Sequence, residues 1–280
     1  MPPSRLRGRI PPWLASASFV AGVLIVLVAL ICAIFPGLIT AQDPLMVNTS
    51  ARTVPPSLAH LFGTDNFGRD VFARVVHGTR IDLKIGILGT LIPLAFGSIL
   101  GLLAGYYGGI LDSMLMRAID ILMAFPFTIL VITIMTILGQ GLQNVYIALW
   151  LVGWIAYARL VRGEVLVMKN AEFIQAAQVA GFSDTRILFR HLLPNVASSA
   201  VVFAASDVVL CMLTGASMSF LGLGVQLPTP EWGAILNEGR SYISYAWWIT
   251  FFPWLCMAIT GVGFSLIGDG LTDFLRSKGR

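Results

Sequence analysis

The polar segment at residues 171–195 is the part of the chain whose residue types and spacing best suit a docking site for another protein. The spacing of Glu172, Ala176 and Ala177 predicts that all three lie on one helical face. Gly181 follows four residues later, where glycine can adopt the left-handed backbone that ends a helix. The two alanines keep this helix thin enough to enter a cleft, and Glu172 can pair there with a basic residue of the partner.

The remainder of the segment predicts a second short helix. Ser183 or Asp184 is expected to cap this helix, and Pro194 suits the first turn of the membrane helix that follows. Its apolar residues form one stripe, Ile187, Leu188, Leu192 and Leu193. A helix, glycine, helix, proline module between two membrane spans is short and rigid enough to transmit force. The alternative is an amphipathic hairpin that lies at the membrane surface without a partner.

Asp207 is the most informative charged residue within an apolar run. It lies well inside VVFAASDVVLCMLTG, where an unpaired carboxylate is costly, so the sequence predicts a partner or a watery lumen. A pore-lining carboxylate and a protonated or hydrogen-bonded structural Asp are equally open interpretations. Ser217 is a second candidate for the pore lining, although the small residues around it, such as Gly215 and Ala216, favour helix packing.

A second carboxylate within an apolar run, Asp120, precedes Pro126 in RAIDILMAFPFTIL. Arg117 is three residues away on the same predicted helix, so a local ion pair at the membrane edge is favoured over a role in a solute path. Pro126 removes one helical hydrogen bond and therefore predicts a kink in this span.

Sequence motifs for catalysis are absent from the chain. There is no GxxxxGK[ST] loop to hold a nucleotide phosphate, no HExxH, no GxSxG and no pair of carboxylates in an aqueous setting. No metal site is predicted, because neither the cysteines nor the histidines are clustered, at Cys32, Cys211, Cys256, His60, His77 and His191. The chain is therefore expected not to be an enzyme, and the energy that drives it must come from another subunit.

Composition places these residues in an integral membrane protein. Of the 280 residues, 57% are hydrophobic and only 11% are charged, with a mean hydropathy of +0.84. Six apolar runs are long enough to cross a bilayer as helices, at about residues 13–35, 83–105, 115–138, 144–164, 196–221 and 247–270. The sequence predicts an all-α polytopic protein with six transmembrane helices, the first of which is a retained anchor.

The distribution of lysine and arginine predicts the orientation. If the N-terminus is inside, twelve basic residues face the cytoplasm, namely Arg5, Arg7, Arg9, Arg117, Arg159, Arg162, Lys169, Arg186, Arg190, Arg276, Lys278 and Arg280. Five face the outside, namely Arg52, Arg69, Arg74, Arg80 and Arg240. This bias predicts that both termini and the segment 171–195 are cytoplasmic. Because basic loops account for the net charge of +4, no nucleic-acid partner is implied.

The stretch between the first two spans is expected on the outer face. It divides the chain into residues 1–82, with the N-terminal tail, first span and outer segment, and residues 83–280, a core of five helices. Residues 69–80 have one apolar face and predict a short helix lying flat at the interface. A tight turn with positive φ at its glycines is predicted from Gly63, Thr64, Asp65, Gly68, Arg69 and Asp70.

The segment 171–195 resembles the cytoplasmic EAA loop of permease subunits in ATP-binding-cassette (ABC) importers. The matched residues are Glu172, Ala176, Ala177, Gly181, Ile187 and Pro194. The fuller run GFSDTRILFRHLLPN resembles the dipeptide, oligopeptide and nickel branch of that family, as do FGTDNFGRDVFARVVHGTRIDL, SFLGLG and LIGDGLTDFLRSKGR. One departure is Gly215, where many relatives have a glutamate, so a lumen carboxylate at this position is missing.

The resemblance implies the type I ABC importer permease fold in a bacterial or archaeal inner membrane, with a cytoplasmic coupling helix. The residues implied to contact an ATPase are Glu172, Ala176, Ala177, Gly181, Asp184, Arg186, Ile187, His191 and Pro194. The implied partners are a second homologous permease, two ATPases that bind ATP and magnesium, an extracytoplasmic solute-binding protein and membrane lipid. No cofactor is expected on this chain itself. A seat for the binding protein is the functional interpretation of the outer turn.

Alternating access driven by the ATPases is the expected mechanism, and dipeptides or oligopeptides are the expected cargo. Nickel chelates or another small solute are the alternatives within the family. An ion-coupled secondary transporter, with Asp120 and Asp207 as ion sites, and a membrane scaffold or sensor are the alternatives outside it.

Overall fold

The computed structural model describes the backbone of residues 17–278 and the side chains of residues 17–273. The basic side chains counted at the two ends of the chain lie outside this part, namely Arg5, Arg7, Arg9, Arg276, Lys278 and Arg280. Within the described residues the regular structure is helical, and β pairing is limited to an isolated bridge between Thr64 and Asp70. The prediction of an all-α protein is confirmed.

The longer helices follow one another with short connections, except for the outer segment between the first two. They are α1 (Ala17–Ile34), α2 (Val71–Tyr107), α3 (Gly109–Met123), α4 (Phe127–Leu138), α5 (Leu142–Met168), α6 (Glu172–Val179), α7 (Asp184–Phe220), α8 (Trp232–Gly239) and α9 (Trp248–Lys278). Single helical turns lie at Pro36–Ile39, Thr49–Ala51 and Arg240–Tyr242. A wider π-helical stretch, Ile187–Leu192, lies near the start of α7.

Five helices in the described part of the chain, α1, α2, α5, α7 and α9, are long and apolar enough to cross a membrane. The pair α3 and α4 adds a sixth span if the two are counted together, although they meet at an angle of 87°. The predicted number of six spans therefore agrees with the structure only if this pair is counted as one broken span. The prediction of a kinked but continuous helix over residues 115–138 is wrong.

Pro126 explains the break between α3 and α4. Proline has no N–H to donate to the preceding turn, and the Pro126 carbonyl accepts hydrogen bonds from the N–H groups of Ile129 and Leu130 at 3.0 and 3.1 Å. Pro126 therefore starts a new helix. The predicted ion pair nearby is also wrong, since no ion pair between described residues joins Arg117 to Asp120, and both side chains are exposed.

Helix α2 begins much earlier than the second predicted span. Residues 69–80 do not form a separate helix lying flat at the interface, because Val71 starts α2 and the helix continues unbroken. Its first turns are buried within the protein, where the indole Nε1 of Trp232 donates to the Val75 carbonyl at 3.0 Å. The helix also passes through residue 82 without interruption, and the division of the chain there stays a prediction.

Glycines spaced four residues apart allow α2 and α5 to pack closely. Gly97, Gly101 and Gly105 lie on the face of α2 that meets α5. A Cβ atom added to Gly101 would lie 2.3 Å from the carbonyl oxygen of Ala158, and one added to Gly105 would lie 2.9 Å from Val165 Cβ. Small residues at this spacing bring membrane helices into backbone contact, so α2 and α5 pack closely along this face.

Candidate functional site

The predicted coupling segment, residues 171–195, lies between the membrane helices α5 and α7. After α6 the chain turns at Gly181, whose φ is +74° and whose N–H donates to the Gln178 carbonyl at 2.9 Å. The predicted left-handed end of the helix is confirmed. A Cβ atom added to Gly181 would have nothing within 4 Å, so the space beside this turn is open.

The two faces of α6 differ in burial. Ile174 and Ala177 are buried against the rest of the protein, whereas Glu172 and Ala176 are exposed. The prediction that Ala177 shares a face with Glu172 is wrong, because five residues at about 100° each place the two roughly 140° apart. Ala177 therefore anchors the helix, and Glu172 and Ala176 belong to its outer face.

Apolar packing holds the segment against the membrane helices. The predicted stripe is confirmed, since Ile187, Leu188 and Leu192 are buried. They share one hydrophobic cluster with residues of α2, α5 and α6, including Leu102, Tyr157, Val161, Val165, Ile174 and Ala177. A displacement of α6 would therefore act directly on α2 and α5.

The second half of the segment differs from the prediction of a separate helix. It is the first part of α7, which runs on to Phe220, with Pro194 in the first turn of its regular α-helical part. Neither Ser183 nor Asp184 caps this helix with its side chain. The Asp184 carboxylate instead accepts a hydrogen bond from the Tyr106 hydroxyl of α2 at 2.7 Å.

Aromatic contacts order the turn between α6 and α7. The Arg186 guanidinium lies 4.0 Å from the centre of the Phe182 ring, and the His191 ring stacks on that ring at 5.8 Å. In α6 two apolar side chains are exposed, Phe173 at 47% and Val179 at 91% of their surface. The segment 171–195 thus exposes a carboxylate, a guanidinium and apolar groups, a mixture that suits contact with another protein.

Asp207 lies on α7, near the middle of its length, and only 8% of its surface is exposed. Its Oδ2 accepts a hydrogen bond from the hydroxyl of Tyr157 on α5 at 2.8 Å. Tyr157 is fully buried and belongs to the cluster that supports the coupling segment. None of the ion pairs between described residues involves Asp207. This hydrogen bond agrees with the interpretation of Asp207 as a hydrogen-bonded structural residue. Access of Asp207 to a solute path stays a prediction.

The other predicted pore residue lies apart from Asp207. Ser217 is exposed and donates to the carbonyl of Leu213 at 2.7 Å, and it lines a different cavity together with Leu236. Gly215 faces the interior of the helix packing, where an added Cβ would lie 2.5 Å from Ile85 Cγ2. In this packing a glutamate at position 215 would contact α2. The glycine at this position therefore does not deprive the region around Asp207 of a second carboxylate.

The predicted outer turn forms as expected. Gly63 and Gly68 have φ of +72° and +74°, and the Asp65 carboxylate accepts the N–H groups of Phe67 and Arg69 at 2.8 and 3.0 Å. These contacts confirm the tight turn with positive φ at both glycines. Thr64 is also buried, and its carbonyl accepts the Trp248 indole N–H at 3.0 Å, which ties the turn to α9.

A buried ionic network fixes this turn to α8. The Asp65 carboxylate accepts the Arg69 Nε at 2.6 Å and the Arg74 Nη1 at 2.7 Å. The same two arginines reach Glu238 of α8, Arg69 at 2.7 Å and Arg74 at 2.5 Å. Two carboxylates and two guanidinium groups thus neutralise one another away from water. Arg74 and Glu238 were not among the predicted residues, because nothing in their local sequence indicates burial.

Asp70 completes the turn by two contacts. Its Oδ1 accepts the Ala73 N–H at 2.7 Å, which caps α2, and its Oδ2 lies 2.8 Å from His60 Nδ1. Like Thr64, Asp65 and Arg69, it is buried. The predicted signature residues therefore hold the outer segment in place through internal contacts.

A pair of buried carboxyl groups lies next to this region. The Glu231 carboxylate caps α8 by accepting the N–H groups of Gly233 and Ala234 at 2.9 and 2.7 Å. The Asp82 carboxyl group interacts with Glu231, and its Oδ2 accepts the Trp232 N–H at 3.1 Å. Two neighbouring buried carboxyl groups repel each other when both are charged, which favours the protonated form of one of them. Burial raises the pKa of Glu231, although its hydrogen bonds oppose that shift.

Comparison with known proteins identifies what this arrangement resembles. Residues 97–280 match the family described as the binding-protein-dependent transport system inner membrane component. A dipeptide transport system permease protein of Alkalihalophilus pseudofirmus is 42% identical over 259 residues, which are 92% of this chain and 85% of that protein.

Two further relatives are named for other cargoes. A glutathione transport system permease protein of Pectobacterium atrosepticum is 48% identical over 80% of this chain and 74% of that protein. An oligopeptide transport system permease protein of Bacillus subtilis is 39% identical over 92% of this chain and 84% of that protein. The similarity to these relatives thus extends beyond the segment 171–195 to most of the chain.

Proposed function

Because the chain belongs to the family of binding-protein-dependent transport system inner membrane components, we propose that it is the permease subunit through which an ABC importer moves peptides. It is a multi-pass protein of the inner membrane, with the helical fold of these permeases. The observation that carries the mechanism is the exposed outer face of α6, fixed by apolar packing to α2 and α5. This face is where another subunit would push.

Two ATPases are the proposed source of the force. The chain has no phosphate-binding loop of its own, so ATP and magnesium belong to those partners. One ATPase would receive α6 in a cleft, where Glu172 meets a basic side chain and the exposed Phe173 and Val179 fill apolar space. The residues Asp184, Arg186 and His191 stiffen the turn behind this contact through Tyr106 and Phe182.

A second, homologous permease and an extracytoplasmic binding protein complete the proposed assembly. The basic side chains predict that segment 171–195 and both termini face the cytoplasm, which leaves the buried turn at residues 63–70 on the outer side. ATP-driven closure would rock the helices of the permease pair and open the path alternately to each side.

Peptides are the proposed cargo because the relatives named above carry dipeptide, oligopeptide and glutathione in their names. Nickel chelates and ion-coupled transport are not favoured by these relatives. The choice among peptides would rest largely with the binding protein that delivers them.

The test is uptake in proteoliposomes that contain this chain with the second permease, the ATPases and the binding protein of the same transporter. We expect ATP-dependent uptake of a labelled dipeptide or oligopeptide and co-purification of the ATPases with this chain. Failure of the ATPases to co-purify, or uptake that needs an ion gradient and no ATP, would contradict the proposal.

A matched pair of variants at the turn tests the coupling role. Gly181→Val places a branched side chain at a left-handed position, which such residues avoid, whereas Asn tolerates that conformation. Both side chains project into open space in this chain, so insertion into the membrane should be retained. We expect Gly181→Val to abolish uptake and Gly181→Asn to retain more of it. Full uptake by Gly181→Val would exclude this turn from coupling.

A further inference from the structure

The cavity beside Asp207 has no assigned ligand. It has a volume of about 360 Å³ and lies where the bend between α3 and α4 meets α5 and α7. Its walls are largely apolar and include Phe125, Phe127, Ile155 and Phe203. Asp207 is the sole charged residue among those that line it. This volume is within the range of sites for small ligands, which combine apolar walls with a few placed polar groups.

The carboxyl group of Asp207 is held in place but has no cationic partner. Tyr157 donates one hydrogen bond to Oδ2 at 2.8 Å, and Cys211 Sγ lies 4.0 Å from the same oxygen. The Thr90 hydroxyl also interacts with this carboxyl group, whereas none of the ion pairs between described residues reaches it. A carboxylate in apolar surroundings is costly unless a cation or further donors reach it. A ligand with a positive charge would supply both.

We propose that this cavity is a subsite for the N-terminal end of a peptide, with the α-ammonium group bound to Asp207 and the first side chain against the apolar walls. The proposal rests on the peptide transport function given above. A peptide matches the cavity because it carries a cationic group one carbon away from a side chain that is often apolar. Tyr157 acts as a positioning residue, since its hydroxyl orients the carboxylate.

The position of the cavity suits transient binding. It is bounded by the break at Pro126, so its shape depends on the angle between α3 and α4. Asp207 lies on the same helix as the coupling segment, and Tyr157 lies on the helix against which that segment packs. A movement of α6 would therefore change the cavity and release the peptide.

Equilibrium binding to the assembled transporter without its binding protein provides the test, because the binding protein has its own preferences. The probe is a labelled dipeptide with an apolar first residue, competed by the unlabelled dipeptide or by its N-acetylated form. We expect the free peptide to compete about ten- to a hundredfold better, as for a hydrogen bond between charged groups. Asp207→Asn should abolish this difference, and Tyr157→Phe should reduce it.

The matched control is Asp120→Asn, which removes an exposed carboxylate outside the cavity and should leave the difference unchanged. Equal competition by the free and acetylated peptides in the wild-type transporter would overturn the subsite. So would unchanged competition in Asp207→Asn, which would make Asp207 a structural residue. Loss of the second permease from purified Asp207→Asn would also overturn the subsite, because Asp207 would then bind a basic side chain of that permease and not a peptide. If the wild-type proteoliposomes import no peptide, the proposed function fails instead.

Discussion

Replacement of Arg74 by methionine should destabilise the outer part of the chain more than replacement of an exposed charged residue would. Arg74 is fully buried and lies 2.7 Å from Asp65 Oδ2 and 2.5 Å from Glu238 Oε2. Methionine has a similar length but no charge, so the network would keep two carboxylates and one guanidinium group. Removal of one partner from a buried pair costs about 3–5 kcal/mol, because the remaining charge is not compensated.

This cost can be converted into a melting temperature. For domains of roughly 150–250 residues, 1 kcal/mol corresponds to about 2–4 °C, so Arg74→Met should lower the apparent Tm by roughly 6–20 °C. The assay is thermal unfolding of the full chain in detergent, followed by tryptophan fluorescence, since Trp232 and Trp248 are buried beside the network. Arg80→Met on the same helix is the control, because Arg80 is exposed and its loss should change stability by about 0.5 kcal/mol or less.

A double variant separates charge from packing. Arg74→Met combined with Glu238→Gln leaves Asp65 and Arg69, whose charges cancel, so it should regain about 0.5–3 kcal/mol relative to the sum of the single changes. A single variant as stable as the Arg80 control would refute the role of the network. A double variant no better than the sum would show that lost packing, and not the unpaired charge, causes the instability.

Two further predictions concern buried contacts. Gly101→Leu should prevent α2 and α5 from packing, because its Cβ would lie 2.3 Å from the Ala158 carbonyl oxygen, and the yield of folded protein should fall, whereas Gly163→Ala, with nothing within 4 Å, should not change it. Since burial raises the pKa of Glu231, the folded chain retains a proton that the unfolded chain releases, and stability should fall as pH rises from the usual Glu range through the raised pKa. The slope is at most about 1.4 kcal/mol per pH unit, and Asp82→Asn, which offers the Glu231 carboxylate an N–H donor, should flatten it in unfolding measured between pH 5 and 8.

The sequence was sufficient for features that depend on local chemistry. Gly181 and Gly68 were predicted from their turns, and the apolar spacing of Ile187 and Leu188 indicated their buried face. The number of spans followed from apolar length alone. In each case a few neighbouring residues determine the conformation, so the pattern could be read without knowledge of distant contacts.

Features that depend on distant contacts could not be predicted. Residues 69–80 look amphipathic because Arg74 is charged, but Arg74 is buried by Glu238, which lies far along the chain. Pro126 indicates a break in the helix, but the 87° angle of the bend is larger than the kink that a proline alone predicts, so its size could not be taken from the local sequence. The pairing of Asp82 with Glu231 joins residues that no local pattern connects.

The continuity of α7 connects the two proposed sites. The helix starts in the coupling segment at Asp184 and carries Asp207 about 35 Å further along, at roughly 1.5 Å per residue. Its first turns include the π-helical stretch Ile187–Leu192, a wider form of helix that often lies at functional positions. A push on α6 reaches α7 through Ile187 and α5 through Val165, and both helices hold the Asp207 cavity. Because α5 is fixed to α2 by Gly97, Gly101 and Gly105, the push should move α2 and α5 as one body, and the cavity should change where this body meets the bent pair α3 and α4.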